Sequence, residues 1–545
     1  MNNILEMQLG NYQESVDSAI MNAQAENLIE RIWAKDHLVW SENPEEISNR
    51  LGWLDIADRM QEQIPNLEDF AEKTISTGIE NVLLLGMGGS SLAPEVFSNV
   101  FTSRLGFPKF SILDSTDPRA VIKKMGSNDP KKTLYIVATK SGGTVETISL
   151  FKVFYNHAEE FLGDLAGGQF VAITDPGSKL EVLAEEHNFR KVFINDPNIG
   201  GRYSALSYFG LVPAALLGID LAKLLNQAIA TARVCRRTDI SQNLGARLGI
   251  TLGVLAQQAR DKLTIVSPQE FSAFGDWVEQ LVAESTGKSG KGILPVLGNN
   301  WDDEDNFSRD RLVLNLSAMQ QGKNINPHNV PSITIDWEDP YQIGAHIFLM
   351  EFATAVAGHI MGIHPFNQPN VESAKVLTRN LVAAFEKEGQ NPERERNSLN
   401  ANSVLEYMKN ASEGDYICLQ AYTEPNPENS KALLNLKTAL ENYTKLACTF
   451  GFGPRFLHST GQLHKGDRGN GYFIQILDSV DNPDLDIPKL AGNKAASISF
   501  ELLKQAQASG DAAALIEGGR NVLETEFTGN FAELVTNIAG KIYDP

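Results

Sequence analysis

Short apolar runs and longer amphipathic stretches alternate along most of this 545-residue chain. Runs of five or six largely apolar residues recur at Asn81 to Leu85, Phe110 to Asp114, Thr133 to Ala138 and Phe170 to Thr174. Helical periodicity fills stretches between or after them, as in Thr144 to Leu162 and Lys179 to His187. Strands apolar on both faces belong in a parallel sheet covered by helices on each side, so the pattern predicts an α/β fold. A second set begins near residue 260. Strands are predicted at Leu263 to Ser267, Leu312 to Leu316, Ser332 to Trp337 and Tyr416 to Ala421. Helices are predicted at about 272–285 and 340–361, the latter ended by Pro365 and Pro369.

A third segment has strand-like Ala447 to Leu457 and Tyr472 to Asp478, then helical patterns at about 493–508 and 528–540. Ahead of the first strand the chain is polar with a helical period, in Ala23 to Val39 and Pro44 to Ile64, and reads as a helical lead-in. Glu386 to Asn402, rich in charge and asparagine, reads as a surface linker. The resulting division is a lead-in over 1–75, one α/β domain over 76–250, a second over 251–440 and a C-terminal α/β segment over 441–545.

Composition narrows the partners. The chain is 42% hydrophobic and 21% charged, as in ordinary globular proteins. A net charge of −21 opposes binding to nucleic acid or an anionic membrane, which need a basic footprint. No stretch approaches the roughly 20 apolar residues of a membrane span, and Met1-Asn2-Asn3-Ile4-Leu5-Glu6 has no export-signal pattern. Cys235, Cys418 and Cys448 are scattered and odd in number, which predicts neither a disulfide framework nor a zinc site and fits a reducing cytoplasm. A small anionic ligand remains open to a negative protein, through backbone amides and a few cations.

Two glycine turns leave predicted strands. Gly86-Met87-Gly88-Gly89-Ser90-Ser91 fails the dinucleotide pattern, since Ser91 stands at the third glycine. It is either a tight corner or a ligand turn. Thr139-Lys140-Ser141-Gly142-Gly143-Thr144 places hydroxyls and bare amides at a helix start, as a phosphate monoester requires, or else is a Ser/Thr cap. Two such turns in one sheet favour a phosphate ligand. A third corner, Gly200-Gly201-Arg202, carries an arginine suited either to a surface ion pair or to a fixed cation over an oxyanion. In "AESTGKSGKG", Gly287-Lys288-Ser289 mimics a nucleotide loop, but Val282 stands where the first glycine is needed and a helix precedes it. The acid left there is Glu284.

Together "GMGGSSLAPEV", "ATKSGGTVET", "NIGGRYSALS", "AESTGKSGKG", "NPHNVPS", "HPFNQPNVESAK" and "RFLHSTGQLHKG" resemble the glucose-6-phosphate isomerase family, whose fold is two sugar-isomerase (SIS) three-layer domains with parallel sheets. The likeness runs from about residue 80 onward and is greatest to the isomerase half of bifunctional transaldolase/glucose-6-phosphate isomerases. About 80 residues before the first strand are too few for a transaldolase barrel, so no transaldolase activity is expected.

The resemblance implies a metal-independent, cofactor-free aldose–ketose isomerase of glycolysis and gluconeogenesis, working through a cis-enediolate. By motif, Glu284 matches the glutamate that carries the proton between C1 and C2, and Arg202 the arginine that steadies the enediolate. Lys375 matches the lysine near the ring oxygen, with Gln368 beside it. Thr139, Lys140, Ser141 and Thr144 match the phosphate loop, and Gly89, Ser90 and Gly201 border the sugar. The family's ring-opening histidine precedes that lysine. Here the matching phrase follows it, which implies a permuted order with His458 in the role and His464 as the weaker candidate. A sibling isomerase for mannose 6-phosphate or an amino sugar phosphate, or a non-catalytic sugar-phosphate regulator, are the other readings. The family implies a cytoplasmic protein and a homodimer.

Overall fold

The computed structural model describes residues 5–298, 308–318, 330–371, 376–379, 381, 396–478 and 483–543. Three five-stranded sheets organise them. The first strand, β1 (Leu5–Gln8), is set aside for the second sheet, where it pairs antiparallel with the strand Ser332–Trp337. The first sheet contains β2 (Asn81–Gly86), β3 (Lys109–Leu113), β4 (Thr133–Ala138), β5 (Phe170–Thr174) and β6 (Lys191–Ile194) in the order β3-β2-β4-β5-β6, all parallel. The chain reverses its direction of winding between β2 and β4, and in open parallel sheets a ligand crevice opens beyond the carboxyl ends of such a pair. The two predicted glycine turns are the exits of β2 and β4.

The second sheet has the order β1-β10-β9-β7-β8, from β7 (Lys262–Val266), β8 (Leu294–Val296), β9 (Arg311–Ala318) and β10 (Ser332–Trp337). The long apolar helix Ile343–Met361 ends where Gly362 turns left-handed at φ 63°, three residues before the first of the prolines expected to end it. With the turn ahead of it, the stretch Pro340–Met361 is long and apolar enough to cross a membrane, against the sequence expectation. It is the core helix of this unit, with 89% of its apolar window buried among neighbouring elements.

The third sheet corrects the expected division. Its order is β11-β17-β14-β12-β13, from β11 (Asn397–Ser398), β12 (Tyr416–Tyr422), β13 (Ala447–Phe452), β14 (Gly471–Asp478) and β17 (Asn521–Phe527), all parallel. Tyr416 to Ala421, expected in the second set, is thus a central strand of the third, and the boundary falls before 416 rather than at 440. A strand buried on both faces has the same local pattern in any parallel sheet, so its membership depends on pairings distant in sequence. The lead-in is helical but for β1, with helices Gln13–Ala25, Leu28–Trp33, Ile56–Gln61 and Ile64–Ser76. Most of the linker expected at 386–402 lies outside the described residues.

The third unit does not stand apart. A two-stranded hairpin of β15 (Asp486–Pro488) and β16 (Ala496–Ser499) leads into the helix Phe500–Glu517. Ile487, Ile498, Phe500, Leu502 and Leu503 join the core on one face of the first sheet, with Leu83, Leu85, Tyr135 and Phe151. Burying five large apolar side chains against another unit contributes on the order of 1.5–3 kcal/mol each. The C-terminal unit is therefore fastened to the first.

Candidate active site

A cavity of about 600 Å³ opens at the exits of β2 and β4. Gly89, Ser90, Thr139, Lys140, Ser141, Thr144, Gly201, Arg202, Glu284, Gln368 and His458 all line it. These are all the expected site residues except Lys375, which lies outside the described residues. His464 is elsewhere: it is fully buried against Tyr416 and Phe473, its Nε2 3.6 Å from Cys418 Sγ. Burial holds its pKa well below the ordinary histidine value.

Close approach of three turns closes the cavity floor. Gly88 lies at φ 53°, and a Cβ there would stand 2.7 Å from His458 O and 2.8 Å from Gln280 Nε2. A Cβ on Gly89 would stand 2.3 Å from Gly201 O. The first glycine turn is thus a seat for the backbone of the other two. In the second turn the Thr139 and Thr144 hydroxyls share a hydrogen bond of 2.8 Å ahead of the helix Val145–Leu162. Hydroxyls and amides at a helix start form a ready anion cradle. Lys140 is turned aside: its ammonium pairs with Asp175 and donates to Pro197 O at 3.1 Å. Burial raises the Asp175 carboxyl from its ordinary value against the pull of that lysine.

The acid and the arginine line the same cavity. Glu284 lies in the last turn of the buried helix Ser272–Thr286, and Arg202 lies in the turn Gly201–Tyr203. Arg202 Nη1 is 3.2 Å from Glu284 Oε1, while Nε donates to Ser285 Oγ at 2.8 Å and Nη2 to Pro365 O at 2.6 Å. Its side chain is 1% exposed. Gln368 Nε2 donates to the same Glu284 Oε1. A guanidinium with fixed partners is a preorganised charge that need not move as negative charge develops nearby.

His458 ends the turn Arg455–His458 after β13, and its Nε2 is 2.9 Å from Glu146 Oε1. Gln280, one helical turn before Glu284, donates to His458 O at 2.7 Å. The helix that carries the acid therefore also holds the histidine's backbone. Asn49, Arg50 and Gln280 also line the cavity, and with Glu146 they are absent from the residues expected from the sequence. Gln280 and Glu146 had a readable signal, since each lies within a few residues of a motif; Asn49 and Arg50, in the lead-in, had none.

The nucleotide-like lysine has a structural task. Lys288 is 3% exposed and donates to His364 O at 2.7 Å, beside the Pro365 carbonyl that Arg202 uses. Burial, with Arg202 adding to it, holds its pKa well below the ordinary lysine value. Among the described residues no group of His, Cys, Asp and Glu is arranged to hold a metal ion.

Residues 53–292 match the family model for phosphoglucose isomerase. A protein of Methanococcus maripaludis named "probable glucose-6-phosphate isomerase" is 26% identical over 435 residues, spanning 71% of this chain and 95% of that protein. The glucose-6-phosphate isomerase of Carboxydothermus hydrogenoformans is 27% identical over 406 residues, spanning 62% and 87%. Among solved structures, a hypothetical protein from Thermus thermophilus matches with TM-score 0.60 at 24% identity, covering 70% of this chain and 100% of that one. A glucose-6-phosphate isomerase from Chlamydia trachomatis matches with TM-score 0.58 at 18% identity, covering 73% and 89%. These two likenesses concern the fold, while the family model and the sequence relatives agree with the motifs gathered at the cavity: over residues 53–292 the chain is similar to phosphoglucose isomerases.

Proposed function

We propose that this chain interconverts glucose 6-phosphate and fructose 6-phosphate in its 600 Å³ cavity. The observation that carries the reading is the convergence there of a hydroxyl-rich anion cradle, one carboxylate paired to a buried arginine, and a histidine. The Thr139–Thr144 turn takes the phosphate, so remote binding energy holds the reactive end in place. His458, with Lys375, opens the sugar ring by giving a proton to the ring oxygen while the anomeric hydroxyl loses one. Glu284 then removes the C2 proton of the open aldose and returns it to C1, which a single carboxylate can reach in a cis-enediolate. Arg202 balances the enediolate's negative charge. No step requires a metal or redox cofactor.

A homodimer and a cytoplasmic location belong to the same proposal. Three free, buried cysteines support the location, and light scattering in solution tests the dimer. The activity itself is tested by a coupled assay with glucose 6-phosphate and mannose 6-phosphate side by side. Turnover of glucose 6-phosphate at least tenfold above mannose 6-phosphate is expected. The reverse preference would move the assignment to a sibling isomerase, and tight binding without turnover would make the chain a sugar-phosphate sensor.

A further inference from the structure

One oxygen of Glu146 meets two nitrogens from the C-terminal unit. Its Oε1 lies 2.9 Å from His458 Nε2 and accepts from Gln507 Nε2 at 2.7 Å. Gln507 belongs to the helix Phe500–Glu517 and is 2% exposed. Its own Oε1 accepts from the Thr116 hydroxyl at 2.8 Å, and Thr116 is fully buried. The same helix face carries Lys504, which donates to Asp117 Oδ2 at 3.3 Å, and Asp511, which pairs with Lys465. Positions three and four apart share a face, so these ties fix the helix on both sides of Gln507.

We propose that Gln507 is a positioning residue for the isomerisation: it holds Glu146 as an ionised acceptor, so that His458 points Nε2–H at Glu146 and turns Nδ1–H to the sugar's ring oxygen. The inference rests on the reading of His458 as the ring-opening group. An amide donor stabilises the charged form of the carboxylate it bonds, and an ionised carboxylate only accepts. A carboxylate accepting from Nε2–H favours the imidazolium, which carries a proton on each nitrogen and can give the one on Nδ1 to the ring oxygen. A protonated Glu146 would instead donate to Nε2 and leave a neutral ring, a far weaker acid toward the sugar. The amide of Gln507 cannot be turned over without setting its oxygen against that of Glu146, so Thr116 and Glu146 fix its orientation from opposite sides. The C-terminal unit thereby supplies both the histidine and the residue that keeps its carboxylate partner ionised.

The test is a double-mutant cycle in the full chain: Gln507→Leu, Glu146→Gln and the pair, with Thr116→Val as a milder variant. Rates on glucose 6-phosphate are followed across pH, with thermal melts alongside. Gln507→Leu should lower kcat about tenfold with KM within twofold, and move the acid limb of the pH profile upward, since Glu146 then protonates more readily. In the Glu146→Gln background it should cost less than a further twofold, and Thr116→Val should shift the limb in the same direction by less. Multiplying losses in the double variant, or an unmoved acid limb in Gln507→Leu, overturns the proposal. If Gln507→Leu does not fold, an unmoved limb in Thr116→Val overturns it. His458→Ala, assayed in parallel, separates the two ideas: full turnover there overturns the ring-opening role itself, whereas its loss together with an additive cycle overturns only the role of Gln507.

Discussion

Arg202 and Glu284 face each other at 3.2 Å across the cavity wall, both buried, with Gln368 donating to the same carboxylate oxygen. The carboxylate is held in place by partners that do not take part in proton transfer themselves. Glu284→Gln keeps the size of the side chain and removes the base. Turnover should fall by at least about 10³-fold, while sugar-phosphate affinity changes by less than a few-fold. Calorimetric titration with a non-reacting sugar phosphate, set beside the rate, checks both halves. Near-normal turnover would remove Glu284 from the mechanism.

His458→Ala should separate ring opening from proton transfer. On glucose 6-phosphate, which is cyclic in solution, a loss of about 10²-fold or more is expected from removing a general acid–base group. An acyclic sugar phosphate that cannot close a ring should lose far less. Equal losses on both substrates would mean that the histidine serves the enediolate step or only the cavity's shape.

Much of this site was legible because its parts are local. A strand that runs into glycines and hydroxyls signals a ligand turn wherever the strand sits in the sheet, and both turns at β2 and β4 are where the pattern placed them. What stayed hidden is long-range. Gln507 lies 361 residues from the Glu146 it bonds, on a helix whose pattern shows only burial. The pairing of Lys140 with Asp175 turns an expected phosphate contact sideways, and no local signal marks the partner. The helix predicted at about 493–508 runs instead over Phe500–Glu517, because β15 and β16 take up the residues before it. Tyr416 to Tyr422 looks like any doubly buried strand, and only its pairing with β13 and β14 assigns it to the third sheet.

The turn that holds His458 also carries a pH-dependent contribution to stability. Arg455 pairs with Glu95 and lies 3.3 Å from Asp114, with Asp276 and Glu279 of the helix Ser272–Thr286 close by. Desolvation is the main cause that raises Asp276 to about 7 and Glu279 to about 8, with neighbouring carboxylates adding to it and Arg455 opposing. Both acids keep their protons in the folded chain at pH values where the unfolded chain has lost them. Stability from these groups is therefore full below about pH 4. It declines as pH rises through the folded values of about 7 and 8. Glu279→Gln, always neutral, should raise the melting temperature at pH 8.5 and leave it nearly unchanged at pH 4.5. Melts of both proteins at the two pH values decide it; an equal shift at both would show that the gain is not one of ionisation.

Gly88 offers the sharpest steric test, because strain and displacement act there together. At φ 53° any side chain costs about 1 kcal/mol of backbone strain. The added Cβ would also stand 2.7 Å from the His458 carbonyl and 2.8 Å from the Gln280 amide that bonds it, too close for either to stay. Both contacts bear on the backbone of the turn that carries His458. Gly88→Ala should therefore lower kcat at least about tenfold, as small misplacements of reacting groups do, while inhibition by inorganic phosphate stays within twofold. A rise in the phosphate inhibition constant with kcat unchanged would mean that the turn shapes the anion site and that His458 is held by something else.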